Sequence, residues 1–142
     1  MMGVNLAFNT AVHILAFLTK HQGEKHNSQV LAEKVCVNPV QIRRVMSQLH
    51  QHGYVEVKRG NQGGYYITQK GMTAKLSLLF ELFNQPESHI RLFTGDTAIE
   101  CEISQQIGRV MYKHYLEEQK ILAQYYQNIS IQDILNDISM EV

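Results

Sequence analysis

Cationic and amide side chains that can donate hydrogen bonds are concentrated in two short segments of the chain. The first segment contains Gln41, Arg43 and Arg44, and the second contains Lys58 and Arg59 directly before a glycine-rich stretch. Guanidinium and amide groups can bind base edges in the major groove of DNA, and lysine and arginine can both bind phosphates. These residue types therefore indicate recognition of nucleic acid.

The sequence gives little support for catalysis or for a metal site. His21 and His26 flank a loop, whereas His50 and His52 lie on different faces of one helical segment. The sequence shows no Ser-His-Asp or Cys-His pattern typical of a catalytic site. The glycine-rich residues 60–64 are not followed by the Lys-Ser/Thr of a phosphate-binding loop. The two cysteines are 65 positions apart, which matches neither a disulfide framework nor a zinc signature. We expect neither an enzyme nor a bound metal.

A helix must position the first cationic segment. Asn38 is a favourable N-cap, and Pro39 suits the first helical position because the N–H that it lacks would be unpaired there. Apolar residues then recur at i, i+3, i+4 and i+7: Ile42, Val45, Met46 and Leu49. Arg44 falls on the opposite side, and Gly53 ends the helix. An ordinary surface helix, polar only on its solvent side, is the alternative.

A β-hairpin is predicted to carry the second cationic segment. The runs 54–57 and 65–68 are rich in β-branched and aromatic residues, and glycines at 60, 63 and 64 separate them. Glycine permits positive φ and lets the backbone pass close to a partner. Lys58 and Arg59 then lie at the tip of the hairpin, where no core could use them.

Two further helices are predicted before the helix that begins at Asn38, which is the candidate recognition helix. The first runs over about residues 5–20, with one buried stripe formed by Phe8, Val12, Leu15 and Leu18. Asn27 or Ser28 caps the second, which extends to about Val35. Cys36 and Val37 form the tight turn that follows. Residues 1–72 are thus predicted to form a winged helix-turn-helix domain, and the fold class is mainly α with a small β-hairpin.

The charge of the chain is segregated although its formal net value is zero. Residues 1–72 carry eight Lys or Arg against three Glu, a net charge of +5, whereas residues 73–142 carry five basic and ten acidic residues, a net charge of −5. A basic half that coincides with the helix pair and the hairpin favours a DNA-binding face. A solvated charge run is the alternative.

Residues 73–142 are predicted to form a helical linker and a dimerisation region. A linking helix covers about 76–84, and Thr97-Ala98-Ile99-Glu100 matches a capping box that opens a helix reaching about Asn128. Such a helix of roughly thirty residues spans about 45 Å. Its apolar residues are predicted to form a dimer interface: Ile103, Ile107, Val110, Met111, Tyr115 and Leu122. A helix folded back on its own domain is the alternative.

The chain resembles a known family of winged-helix regulators, the Rrf2 family grouped with IscR, NsrR and CymR. The resemblance covers about residues 5–70. It rests on Leu31-Ala32, Asn38-Pro39, Arg43-Arg44, Leu49, Gly53 and above all Arg59-Gly60-x-x-Gly63-Gly64-Tyr65. It implies a dimeric transcription regulator that binds DNA. The candidate DNA contacts are Ser28, Asn38, Pro39, Val40, Gln41, Arg43, Arg44, Ser47, Lys58 and Arg59.

The chain departs from the family members that hold an iron–sulphur cluster. Those members place three cysteines close together near the start of the long C-terminal helix, whereas this chain has only Cys101 between Asn84 and Arg109. A cluster needs several thiolate ligands, so we expect no cluster and no other cofactor. The chain is similar to the cluster-free branch, HypR and CymR among them, whose members respond through thiol chemistry or protein partners.

We hypothesise that Cys36 and Cys101 form a redox switch, and this hypothesis rests partly on the resemblance. Cys36 lies two residues before the cap of the recognition helix, where the positive helix N-terminus and the basic half would favour thiolate. Cys101 is placed in the first turn of the long helix, next to Glu100 and Glu102. In a crossed dimer an intersubunit disulfide is conceivable. Two ordinary buried cysteines are the alternative.

The sequence thus predicts a sequence-specific DNA-binding transcription regulator. We expect a repressor, because steric blocking needs no activation surface, and a homodimer that binds a near-palindromic operator in double-stranded DNA. The alternative is a winged-helix protein-interaction module that regulates a metabolic enzyme. The sequence contains neither an 18-residue apolar run nor the regions of a signal peptide, so we expect no membrane association and a cytoplasmic location.

Overall fold

Three helices form the N-terminal half of the protein in a computed structural model, which describes residues 5–61, 63–85 and 91–140. They are α1 (Leu6–Lys20), α2 (Ser28–Val35) and α3 (Pro39–Gln51). An asparagine side chain caps each helix by accepting a backbone N–H: Asn5 at 3.0 Å, Asn27 at 2.8 Å and Asn38 at 2.9 Å. The residues predicted to face the core of α3 are all buried. The predicted helices are confirmed, with Asn27 rather than Ser28 as the cap of α2.

A two-stranded antiparallel hairpin follows α3 and forms the wing. Strand β1 (Val55–Lys58) pairs with β2 (Gly64–Ile67), so that Lys58 lies opposite Gly64. Gly60 has a φ of +99°, and a Cβ at Gly63 would overlap the carbonyl oxygen of Lys58. Both positions therefore require glycine. The predicted fold class, mainly α with a small β-hairpin, is confirmed.

Two short helices connect the wing to the C-terminal half. They are α4 (Gln69–Met72) and α5 (Leu76–Phe83). Helix α5 packs against α1, where the rings of Phe8 and Phe80 meet edge to face at 5.5 Å. This contact brings residues beyond position 72 into the core of the N-terminal half.

The long helix α6 starts later and is shorter than predicted. It spans Glu102–Tyr126, 25 residues, or about 37 Å. The capping box predicted at Thr97 and Glu100 is wrong, because residues 97–100 form turns and bends and Cys101 occupies the N-cap. The carboxylate of Asp96 accepts the N–H of Ala98 at 2.9 Å, and the N–H of Asp96 donates to the carbonyl of Ser104 at 2.9 Å, so this segment forms a turn beside α6 and not a helix.

Helix α7 (Ile131–Met140) was not predicted, and it closes the core of the N-terminal half. Ile131 is fully buried within the same cluster as Phe8 and Leu49, and α7 packs along α1. One hydrophobic core therefore continues across the boundary that was predicted at residue 72. The sequence signal for α7 was a capping box: the N–H of Ser130 donates to Asp133 at 2.9 Å, and the N–H of Asp133 donates to the hydroxyl of Ser130 at 3.1 Å.

Ser130→Ala is expected to lower the free energy of unfolding by about 1 kcal/mol, because it removes the acceptor for a backbone N–H at the start of α7. The melting temperature should fall by about 3 °C. Ser139→Ala, at an exposed position near the end of the same helix, is the matched control and should have no effect. Equal melting temperatures for the two variants would show that the box does not stabilise α7.

The same box predicts a dependence on pH. Hydrogen bonds from the backbone and the hydroxyl of Ser130 hold the pKa of the Asp133 carboxyl below its usual range. A carboxyl group with a lowered pKa contributes stability above its unfolded pKa, and that stability is lost as the pH falls through the folded value. The difference between wild type and Ser130→Ala should therefore shrink at acidic pH.

Candidate nucleic-acid interface

The outer face of α3 presents most of the predicted DNA contacts to solvent. Arg43, Arg44 and Ser47 are exposed, as are Asn38, Pro39 and Val40 at the N-terminal end, whereas Gln41 and Ser28 of α2 are half-buried. At 100° per residue, Arg44 lies opposite the centre of the buried stripe. This face borders a groove of about 630 Å³ whose other wall contains Ala7 of α1 and Phe83 of α5.

The cations of this face have no neutralising partner in the part of the chain that the structure describes. Among residues 5–61, 63–85 and 91–140, the side chains of Arg43, Arg44 and Arg59 have neither an ion-pair nor a hydrogen-bond partner. Contacts between oppositely charged residue types elsewhere in the described chain join Lys120 to Glu117 and the His21 ring to Glu24. Unpaired cations on an exposed helix and a neighbouring wing are suited to bind a polyanion.

The wing carries its two cations in different ways. The ammonium of Lys58 lies 4.8 Å from the centre of the Tyr66 ring on the paired strand, within the range of a cation–π interaction. Arg59 is exposed at the beginning of the loop. Lys58 is thus held against the hairpin. The side chain of Arg59 has no such contact in the described part of the chain, so it can move to contact a ligand.

The wing is also anchored to the loop between α1 and α2 through His26. The N–H of Tyr65 donates to the carbonyl of His26 at 2.8 Å, and the N–H of His26 donates to Tyr65 at 3.1 Å. The His26 ring packs edge-on against Phe17, and its Nδ1 is buried without a hydrogen-bond partner in the described part of the chain. Burial and the nearby His21 hold the pKa of His26 below its usual range, although Glu24 acts in the opposite direction. Sequence reasoning missed this anchor, which depends on a contact between distant segments.

The two cysteines are exposed and lie in different elements. Cys36 is the C-cap of α2, with a φ of +62°, and it is the one non-glycine residue with positive φ among those the structure describes. Its thiol donates a hydrogen bond to the carbonyl of Glu33 at 3.5 Å, at the C-terminal end of α2. The thiol is therefore engaged by the C-terminal end of α2, whereas the sequence had suggested a position near the N-terminus of α3. Cys101 precedes α6 as its N-cap rather than lying in its first turn.

One side of α6 exposes a stripe of apolar residues. Of the predicted interface residues, Ile103, Val110, Met111 and Leu122 are exposed and Ile107 is half-buried. Ile121 and Tyr125, which were not predicted, extend the stripe with exposed fractions of 63% and 68%. Tyr125 lies three residues after the predicted Leu122 and four after Ile121, and this helical spacing was the signal that would have extended the stripe.

Tyr115 lies on another side of α6 and contacts its own chain. Its ring is 6.0 Å from that of Phe93 and stacks on that of Tyr112. Tyr126 likewise packs against Phe8 and Phe80. Helix α6 therefore has one side that folds back on its own domain and a second side that is open.

Comparison with known proteins supplies the class of protein. A family model described as "Rrf2: Iron-dependent Transcriptional regulator" matches residues 4–137. The chain belongs to the Rrf2 family. A transcription regulator from Lactobacillus plantarum has 30% identity and a solved structure with a TM-score of 0.81, the match covering 96% of this chain and 91% of that one. A Bacillus subtilis protein described as an HTH-type transcriptional regulator, YwnA, is 24% identical over 137 residues, which are 95% of this chain and 98% of the relative.

More distant solved structures share the fold of this Rrf2 regulator. IscR of T. potens has 17% identity and a TM-score of 0.67, with 96% of this chain and 88% of that chain covered. CymR of B. subtilis has 16% identity and a TM-score of 0.59, with 96% and 98% covered. The protein is a transcription regulator with a DNA-binding helix-turn-helix, and it is not an enzyme.

The described residues of this Rrf2 regulator do not supply a site for the iron named in the description of the family. Within the described ranges, no group of three or more His, Cys, Asp or Glu side chains is arranged to hold a metal ion. Cys36 and Cys101 are the chain's two cysteines, and they cap different helices. No step of the function is therefore assigned to iron. Nor does any described helix have the length and apolarity needed to cross a membrane.

Proposed function

We propose that this Rrf2 regulator is a homodimeric repressor that binds a near-palindromic operator and responds to oxidation of Cys36 and Cys101. The observation that carries the DNA-binding part is the set of unpaired cations on α3 and the wing. Arg44 and Arg43 on α3 would read base edges in the major groove, and Arg59 would bind phosphates or the minor groove beside it. No iron–sulphur cluster takes part in this proposal.

The open side of α6 supports the homodimer. Six exposed apolar side chains follow one side of the helix: Ile103, Val110, Met111, Ile121, Leu122 and Tyr125. They form one group at residues 103–111 and a second at 121–125, with the exposed His114 and Glu118 between them, and exposed apolar groups of this kind are typical of an interaction site. A second copy of the chain would cover it by a two-fold interface, which places two α3 helices on two half-sites of one palindrome.

We infer repression because it requires only the two surfaces already assigned, the DNA-binding face and the dimer interface. The N-terminal half supplies a DNA-binding face, and the open side of α6 is assigned to the dimer. A bound dimer blocks polymerase sterically without any additional contact. An activator would need a further exposed surface to recruit polymerase.

DNA protection mapping tests the proposed function. The protein should protect a site with two-fold symmetry in the DNA upstream of its own gene, with half-sites about one helical turn apart. Competition with random duplex at fixed salt is the control. Equal protection of operator and random DNA would contradict sequence-specific binding, and capture of a metabolic enzyme without DNA binding would support the interaction module instead.

The redox step is a thiol oxidation by a hydroperoxide. The Cys36 thiolate attacks the peroxide oxygen, and the cysteine becomes a sulfenic acid while the alcohol or water leaves. The thiol of Cys101 in the second copy of the chain then attacks that sulphur. An intersubunit disulfide forms as water is released. The proposal assigns the first role to Cys36 because it is exposed and adjoins the cap of α3, so a disulfide there would shift α3. The thiol must release the carbonyl of Glu33 before the thiolate attacks.

Mild hydroperoxide treatment is expected to give a covalent dimer on a non-reducing gel and to change operator affinity. Both effects should be reversed by dithiothreitol, because a disulfide is reducible. Cys36→Ser and Cys101→Ser, tested separately, should each abolish the covalent dimer. An unmodified monomer band with unchanged operator binding would rule out the switch.

A further inference from the structure

The C-terminal end of α3 is closed by a motif in which the carbonyls of the C-cap His52 and of Gly53 have no partner from the helix. Gly53 has a φ of +81°, and the N–H groups of Tyr54 and Gly53 donate to the carbonyls of Leu49 at 2.9 Å and His50 at 3.1 Å. This is the Schellman arrangement. The carbonyls of His52 and Gly53 are not paired by this motif, so they need hydrogen-bond donors from another element of the chain.

Residues at the start of α4 supply those donors. The ammonium of Lys70 donates to the carbonyl of His52 at 2.6 Å, and the hydroxyl of Thr68 donates to the carbonyl of Gly53 at 2.7 Å. Lys70 also lies 4.7 Å from the centre of the Tyr54 ring. A cation at the negative end of the α3 dipole is favourable, and its hydrogen bond is charge-assisted.

The backbone of α4 is in close contact with the same turn. A Cβ added to Gly71 would overlap the carbonyl oxygen of Tyr54, so this approach requires glycine. Gly71 is buried, and α4 also packs against α1 and α7. The donors of α4 are therefore carried by an element that the core holds in place.

This contact lies at the junction between the two DNA-binding elements. Helix α3 ends at Gln51 and β1 begins at Val55, so residues 52–54 set the direction of the recognition helix relative to the wing. A displacement at this turn would move the side chains of α3 and the cations of the wing relative to each other. Base contacts depend on such positions far more strongly than phosphate contacts do.

We propose that Lys70 is a positioning residue for operator recognition, which acts through the end of α3 and not by binding DNA itself. The proposal rests on the proposed DNA-binding function. It distinguishes Lys70 from Lys58 and Arg59, whose expected role is direct contact. The ammonium of Lys70 is already engaged by a carbonyl and a ring in the absence of DNA.

The experiment compares Lys70→Met, Lys70→Arg and, as a control for charge, Lys113→Met on α6. Affinities for the operator and for a random duplex are measured over a series of salt concentrations. Lys70→Met should lose roughly threefold to tenfold in operator affinity, the size expected when a charged cap at a helix end is removed. Binding to random duplex and the salt slope should be unchanged, and Lys70→Arg should restore operator affinity because arginine keeps both contacts.

Amide hydrogen exchange of the DNA-free protein provides the second readout. Exchange at Gly53 and Tyr54 should be faster in Lys70→Met and normal in Lys70→Arg and Lys113→Met. Equal weakening of operator and random duplex, with a salt slope lower by about 0.9, would identify Lys70 as a phosphate contact and overturn the proposal. Unchanged exchange together with unchanged affinity would also overturn it. If wild type binds neither duplex, the proposed function fails, and exchange alone decides whether Lys70 holds the end of α3.

Discussion

The double variant Met111→Glu, Ile121→Glu is expected to be monomeric at micromolar concentration and to bind operator DNA at least about a hundredfold more weakly than wild type. Both side chains are exposed, at 44% and 63%, on the open side of α6. In a two-fold interface each substitution occurs twice, so four carboxylates would have to be buried against an apolar surface. The loss of DNA affinity follows because two linked half-site contacts become independent.

This choice of residues leaves the fold of the monomer intact. Ile107 is half-buried, and its side chain lies so close to Gly95 that a Cβ added to this glycine would overlap it. A charge at Ile107 would therefore also disturb the loop before α6. Met111 and Ile121 have no such neighbour among the described contacts. An unchanged far-ultraviolet circular dichroism spectrum of the double variant would verify that the fold of the monomer is retained, whereas its melting temperature should fall because the dimer no longer stabilises it.

Light scattering measures the assembly directly. Wild type should give twice the chain mass of 16.3 kDa, and the double variant should give the chain mass itself. Leu116→Glu is the matched control, because this leucine is exposed on the opposite side of α6 and should leave the dimer intact. A monomeric wild-type protein would refute the proposed interface, and a dimeric double variant would place it elsewhere on the chain.

Arg44→Ala is expected to weaken operator binding by about 1–3 kcal/mol and to reduce discrimination between operator and random DNA. Arg44 is exposed opposite the buried stripe of α3 and has no partner in the described part of the protein. Its guanidinium can therefore bind a base edge without first breaking a protein contact. A bidentate contact to guanine accounts for a loss of this size.

Competition binding at fixed salt separates this effect from a general loss of charge. Arg59→Ala should weaken operator and random duplex by similar factors, since a phosphate contact carries no sequence information. Arg109→Ala, at an exposed arginine of α6 that bonds to Gln106, should change neither affinity. Unchanged operator and random-duplex affinities for Arg44→Ala would show that α3 does not read the operator as proposed.

The elements that carry the proposed DNA contacts were predictable from sequence because their signals are local. An asparagine cap, a proline at the first position, one apolar stripe and a glycine after the last turn specify α3 within about sixteen residues. The glycines of the wing are similarly decisive, since Gly60 needs positive φ and Gly63 leaves no room for a side chain. Such requirements are satisfied within the segment, whatever the remainder of the chain does.

Two capping boxes show where local signals fail. Thr97-x-x-Glu100 matches the motif and is not a helix start, whereas Ser130-x-x-Asp133 matches it and caps α7 with both reciprocal bonds. Before the first, the N–H of Asp96 donates to the carbonyl of Ser104 at 2.9 Å, which folds the loop back over the first turn of α6. The sequence pattern alone does not show which of the two segments is free to continue as a helix.

The sequence by itself determined helix α3, the β-hairpin of the wing and the separation of charge, because turns, caps and charges are properties of short segments. Tertiary structure decided the C-terminal half. The apolar residues of α6 and α7 have several surfaces on which they could be buried, and the energy of burial is the same whichever surface supplies it. Only the packed chain showed that Ile131 and Tyr126 complete the core beside Phe8, while Ile121 and Tyr125 remain on the open side of α6. It also placed Lys70 at the end of α3, eighteen residues from the carbonyl that it caps.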